Sequence, residues 1–253
     1  MSGDGDRAGD PKRRSLVEAL TAFSVATAVA AILFQIARVV PFVAQNLAAF
    51  VATVFIYLPV WSARRYGLDL GSYGFTTVPR RRTLAFALVG PAAIFPLFLV
   101  AFVLFYQMVC ATPAGSFGAL APAGWCARFI GWSGLLHPHA PGDFLWAALS
   151  QVIVVALPEE LFFRGYLLSL LEAALPPRRR ILGGGIGLAL VLSAGLFAVS
   201  HLVVGFDPRR LATFFPGLLF GWMRSATGNI AAGTFVHAAS NLYIEALHRT
   251  FSP

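Results

Sequence analysis

Charge is scarce in this sequence. Asp, Glu, Lys and Arg make up only 12% of its 253 residues, about half the roughly 25% of an ordinary soluble domain. With 58% apolar residues and a mean hydropathy of +0.74, this excludes a soluble globular protein. Cysteine is nearly missing too. Cys110 and Cys126 are the two present and form no CxxC pair, so a Cys-rich metal site is excluded. No HExxH segment occurs, which removes the usual helical zinc-peptidase pattern. There is no stretch suited to a soluble domain and no clear internal repeat.

What is present is apolar and segmented. Runs extend over Leu20–Ala37, Val39–Ala63, Leu84–Cys110, Phe144–Leu175, Ile181–Val204, Leu211–Met223 and Asn229–Leu247. At about 20 apolar residues per crossing, they predict an all-α, polytopic integral membrane bundle of about seven transmembrane helices. Pro91 and Pro96 are expected to kink the third span. Residues 1–14 are rich in Gly, Asp and Arg and predict a disordered cytoplasmic N-terminus. A full-length apolar run without an obvious cleavage site follows, and reads as a retained first span. Residues 15–143 are expected to hold the N-terminal helices and an outer loop. That loop, 111–143, is Pro/Gly-rich, with Trp125 and Trp132 expected at the membrane interface. Residues 144–250 form the polar-bearing helical core.

The net charge of +8 does not indicate a nucleic-acid partner. The 18 Arg and one Lys fall almost entirely between apolar runs, as topology signals do. With seven spans, 13 basic residues lie on the side of the N-terminus and five on the other, and Arg164 lies inside a span. That asymmetry predicts a cytoplasmic N-terminus and an external C-terminus. The bias towards Arg, Ala and Gly suggests a GC-rich bacterial genome and hence a bacterial inner membrane. Cys110 and Cys126 then fall on the external side, where a disulfide is open to them; two unpaired thiols are the alternative.

The fourth run carries residues that a membrane disfavours. An ionised side chain at the bilayer centre costs roughly 2.5–3.5 kcal/mol, yet Glu159, Glu160 and Arg164 all lie there. Glu160 and Arg164 are four apart and can pair on one helix face. Glu159 points about 100° away and is left for chemistry. A purely structural Glu–Arg staple is the competing reading. His201 in the fifth run, and His237 and Asn241 four apart in the seventh, add further polar groups. A lone His in a span is more often a packing hydrogen-bonder, but two His, an Asn and two Glu in three spans are harder to set aside. Glu159 lies 21 residues before Arg180 and His201 lies 21 after it, so two antiparallel spans would carry them at one depth. A carboxylate in apolar surroundings suits general acid–base work, and an imidazole and an amide aimed at one spot form an oxyanion hole.

These residues also form three motifs. Pro158-Glu159-Glu160-Leu161-Phe162-Phe163-Arg164-Gly165 reads as EExxxR, Phe197 to His201 as FxxxH, and His237 to Asn241 as HxxxN. In this order they resemble the CPBP family of intramembrane glutamic endopeptidases, which contains CAAX proteases and bacteriocin-processing proteins. The resemblance covers about residues 144–247. It implies peptide hydrolysis inside the membrane, without a Ser or Cys nucleophile. Glu159 would be the general base on a water that His201 helps to hold. His237 and Asn241 would stabilise the oxyanion, with Glu160 and Arg164 as the supporting pair. Zinc competes, since two His and a Glu with a water can bind it, but the resemblance favours catalysis without a metal or other cofactor.

The implied partners are the lipid bilayer and a protein substrate with a C-terminal tail or anchor. The favoured reading is a myxosortase-like protease acting in surface-protein sorting. A CAAX-type or bacteriocin-processing protease is the alternative, and a non-proteolytic scaffold or transporter with polar residues along a path is the reading from another class.

Overall fold

A computed structural model describes residues 10–112, 120–139 and 142–252. Seven helices of 14 residues or more organise it. They are α1 (Pro11–Ala37), α2 (Pro41–Tyr66), α3 (Arg80–Ala111), α4 (Phe144–Ala174), α5 (Leu188–Gly205), α6 (Phe214–Thr227) and α7 (Ala231–Phe251). The first four are long and apolar enough to cross a membrane. The other three are shorter or more polar, so seven helices match the seven runs while four meet the requirements of a crossing.

α1 starts well before the apolar run that it contains. Asp10 accepts a hydrogen bond from the Lys12 N–H, and Pro11 opens the helix, a pairing that suits a helix start. Residues 11–14, expected to be disordered, are therefore helical, while residues 1–9 of that stretch lie outside the described residues. α1 presents Ala19, Ala22, Ala26 and Ala30 as a buried stripe and packs on α2, α4 and α5. Small residues at that spacing allow close helix contact without bulky knobs. α3 runs unbroken through Pro91 and Pro96 and packs mainly on α7. Leu88, Leu97 and Leu104 lie on its exposed side and Phe102, Val103 and Tyr106 on its buried side. An apolar surface of that kind suits lipid rather than water.

The fifth run does not begin as a helix. Arg179–Ile181 and Gly184–Ile186 pair antiparallel, with Ile181 opposite Gly184. Leu182 and Gly183 both have positive φ, as a two-residue primed turn requires. Gly183 serves that turn, and α5 starts only at Leu188. At the far end of α5, Arg209 donates to Asp207, and those bonds hold the Asp207 carboxyl below its ordinary range.

Cys110 and Cys126 are joined as a disulfide, tying the end of α3 to the following connection. Trp125 of that connection is buried against Tyr106, Phe102 and His248, and Trp132 is exposed.

α4 lies at the centre. Leu161 to Leu168 are buried on every side, touching α1, α2, α5 and α6, which is the behaviour of a helix that is apolar all round. Gly165 makes one of these contacts feasible. A Cβ there would stand 2.6 Å from the Tyr73 carbonyl oxygen, so the loop before α3 lies directly on the α4 backbone.

Candidate active site

α4 is not a uniform α-helix around its acidic pair. Gln151–Ala156 and Leu161–Leu167 are π-helical and flank the single α turn Leu157–Glu160. The Leu157 N–H reaches back to the Val152 carbonyl, five residues away. Pro158 has no N–H to offer the previous turn, so the widened turns surround the point where the regular ladder is interrupted. Such π segments recur at functional sites.

Glu160 is fully buried, and its Oε1 lies 3.2 Å from Arg164 Nη1 and 3.0 Å from His237 Nδ1. Arg164 is 1% exposed. Its guanidinium stands 3.9 Å over the Phe197 ring and 5.5 Å from that of Phe220, so cation–π attraction adds to the ion pair. α7 comes close enough for the His237 contact because Gly233, one turn earlier, has no side chain. A Cβ there would fall 3.0 Å from Glu160 Oε2. The His237 ring also stacks on Phe220 at 5.0 Å.

Glu159 faces elsewhere. Its Oε2 lies 3.8 Å from His237 Nε2 and 4.0 Å from His201 Nε2, and has no direct hydrogen-bond partner among the described residues. These gaps exceed a direct hydrogen bond and are within the reach of one bridging water. The Glu159 side chain is 16% exposed and that of His201 25%, so the site opens on the His201 side. His201 Nδ1 is 2.9 Å from the Phe197 carbonyl oxygen. A carbonyl only accepts, so Nδ1 carries the proton and Nε2 turns its lone pair towards Glu159. The same logic applies to His237. Glu160 accepts from Nδ1–H, which leaves Nε2 facing Glu159.

Five of the six residues singled out in the sequence thus form one connected cluster. Asn241 sits one turn beyond His237 on α7, where its Nδ2 donates to Gln151 Oε1 at 2.9 Å. The motifs do not include Gln151. Nor do they pair Glu160 with His237, the contact that gives the second glutamate two partners rather than one. A polar residue within an otherwise apolar run is the sequence signal that points to Gln151.

Residues 141–243 match the family model described as "Rce1-like: Type II CAAX prenyl endopeptidase Rce1-like". The matched segment contains Glu159, Glu160, Arg164, His201, His237 and Asn241, in agreement with the CPBP resemblance. No curated protein and no solved structure matches the chain significantly. The protein is a helical membrane protein, and the part of it that carries the polar cluster is similar to CAAX-type intramembrane proteases.

Proposed function

We propose that the protein is an intramembrane endopeptidase that hydrolyses a peptide bond near the C-terminal tail or anchor of a membrane protein, with water activated by Glu159. The observation that carries this reading is the Glu159 Oε2 atom, a buried carboxylate oxygen without a direct partner among the described residues, facing two imidazole Nε2 atoms at 3.8 and 4.0 Å. A water between Glu159 and His201 meets two acceptors. It gives one hydrogen to each and turns an oxygen lone pair outward to a substrate carbonyl. As the new C–O bond forms, Glu159 takes a proton from the water. The carbonyl oxygen becomes an oxyanion and meets the second N–H of the Asn241 amide. Glu159 hands that proton on to His237 Nε2, which faces it and then donates to the oxyanion, while Glu160 accepts from Nδ1–H. His237 then returns the proton through Glu159 to the amine nitrogen as the C–N bond breaks. No metal is needed for any of these steps.

Orientation bears on the substrate. The basic-residue asymmetry of 13 to five supports a cytoplasmic N-terminus. The Cys110–Cys126 disulfide supports an external position for the connection after α3. His201, four residues from the end of α5, then lies in the outer half of a bacterial inner membrane. That favours a tail-anchored protein on its way to the cell surface, processed in sorting. The family match favours a second reading, a prenylated C-terminal segment cut from the cytoplasmic side.

Reconstituted vesicles distinguish the two. A reporter with an apolar anchor and a basic tail is expected to be cleaved, a prenylated CAAX reporter is not, and EDTA is expected to leave the rate unchanged. Cleavage of the CAAX reporter alone would establish the second reading. Activity lost to EDTA and restored by zinc would overturn the metal-free mechanism, and no cleavage of either reporter would count against the protease.

Gln151 offers a finer test. It holds one N–H of Asn241 and so aims the other. Gln151→Leu is expected to lower kcat about tenfold with KM nearly unchanged, less than the 10²–10³-fold that accompanies loss of an oxyanion donor itself. Gln151→Glu keeps the acceptor and is expected to recover most of the rate. Equal kcat in Gln151→Leu and wild type would show that Asn241 needs no such support.

A further inference from the structure

A second cavity shares no lining residue with the acidic pair. It is a cleft of about 1390 Å³ between the N-terminal part of α1 and the C-terminal part of α2, larger than the roughly 300–1,000 Å³ of ordinary small-ligand sites. Its floor is formed by Tyr73 and by Tyr166, Ser169 and Leu170 of α4.

The lining changes character along its length. At one end stand three guanidinium groups, Arg13, Arg14 and Arg65, and none of them makes an ion pair among the described residues. Arg14 lies over the Tyr66 ring at 5.2 Å and Arg65 over Trp61 at 5.3 Å, which orients both at the cleft wall. Two carboxylates also line this end. Asp10 caps α1. Glu18 accepts hydrogen bonds from Ser62 at 2.8 Å and from Tyr66 and Tyr166 at 2.9 Å, so both of its oxygens are engaged within the protein. Beside Glu18 stands Val17, and further along the walls are Ala22, Val25 and Leu58; Val17 and Val25 are half-exposed. From Asp10 to Val25 the helix advances about 22 Å, comparable to an extended acyl chain. Trp61, Tyr57 and Tyr66, all in the lining, are of the types that gather at a membrane boundary.

We infer that this cleft binds one anionic glycerophospholipid, its phosphate held by Arg13, Arg14 and Arg65 and its acyl chain lying along Val17, Val25 and Leu58. Guanidinium groups suit phosphate because their N–H fork matches two of its oxygens. Basic pockets between spans commonly recognise anionic headgroups. The charge gradient selects an amphipath over a soluble anion, because the apolar half of the cleft would otherwise face water or disordered lipid. Tyr166 lies two residues from Arg164 on α4 and donates to Glu18, so the lipid also braces the helix that carries the acidic pair. The inference does not rest on the proposed peptidase activity.

The test is lipid retention by the purified full chain, read by native mass spectrometry after detergent exchange from nanodiscs of phosphatidylglycerol or phosphatidylcholine. Phosphatidylglycerol is expected to stay bound, and its retention to fall at least fivefold in the combined variant Arg13→Gln, Arg14→Gln, Arg65→Gln. The combined variant Arg178→Gln, Arg179→Gln, Arg180→Gln, which removes the same charge outside the cleft, is expected to retain lipid as wild type does. Thr21→Trp fills the apolar half without altering charge, and is expected to reduce retention even if the triple variant does not fold. Equal retention in the cleft variants and the control would overturn the inference. So would equal retention of phosphatidylcholine, or a thermal midpoint raised as much by inorganic phosphate as by phosphatidylglycerol.

Discussion

Glu159→Gln is expected to lower peptide cleavage by at least about 10²–10⁴-fold, the range that a positioned general base supplies, while the protein becomes no less stable. The two effects arise from one fact. Glu159 keeps a buried oxygen without a direct partner among the described residues, 3.8–4.0 Å from two imidazole nitrogens that turn lone pairs towards it. An amide cannot take the proton from water. It can, however, donate an N–H to His201 or His237, and it carries no charge that needs solvation. Sites built for chemistry often sacrifice stability in this way. Cleavage of a tail-anchored reporter and the thermal midpoint in detergent, measured on the same preparation, give both readouts. A rate within threefold of wild type would rule out Glu159 as the base. A normal rate loss accompanied by a sharp drop in midpoint would mean that the carboxylate is structural.

Much of this site is legible in the sequence because membranes make polar residues conspicuous. Three ionisable groups within six positions of an apolar run cannot be lipid-facing without cost, and helical spacing alone assigns Glu160 to Arg164. Equal separation from Arg180 brings Glu159 and His201 to one depth even though that turn contains a β-hairpin. What stays hidden depends on contacts between distant segments. The bond from Glu160 to His237 spans 77 positions and exists because Gly233 lets α7 approach. Gln151 reaches Asn241 only through the π-helical path of α4, which no periodicity reports. Glu18 sits in what reads as the polar flank of the first span, yet three hydroxyl donors from α2 and α4 engage it. Hydropathy misplaces the start of α1 because it locates lipid contact, whereas Asp10 and Pro11 locate the helix end.

The Arg164 and Glu160 pair separates a structural staple from a functional one. Arg164→Met leaves Glu160 fully buried with only the neutral His237 N–H as a partner, and loss of one member of a buried pair costs about 3–5 kcal/mol. A large fall in thermal midpoint is therefore expected. Adding Glu160→Gln removes the stranded charge. Replacing both members of a buried pair is often neutral, so the double variant is expected to regain most of the stability. Its activity is expected to stay at least about tenfold below wild type, since each tenfold corresponds to only about 1.4 kcal/mol of lost transition-state stabilisation. The amide oxygen that replaces the Glu160 carboxylate still accepts the Nδ1–H of His237, so the ring keeps its orientation. A neutral amide, however, accepts that N–H less strongly than a carboxylate does, so the ring is held less firmly where it must meet the oxyanion. Recovery of both stability and rate in the double variant would reduce the pair to packing. Recovery of stability alone would tie Glu160 to the chemistry, as the group that holds His237 in place for the oxyanion.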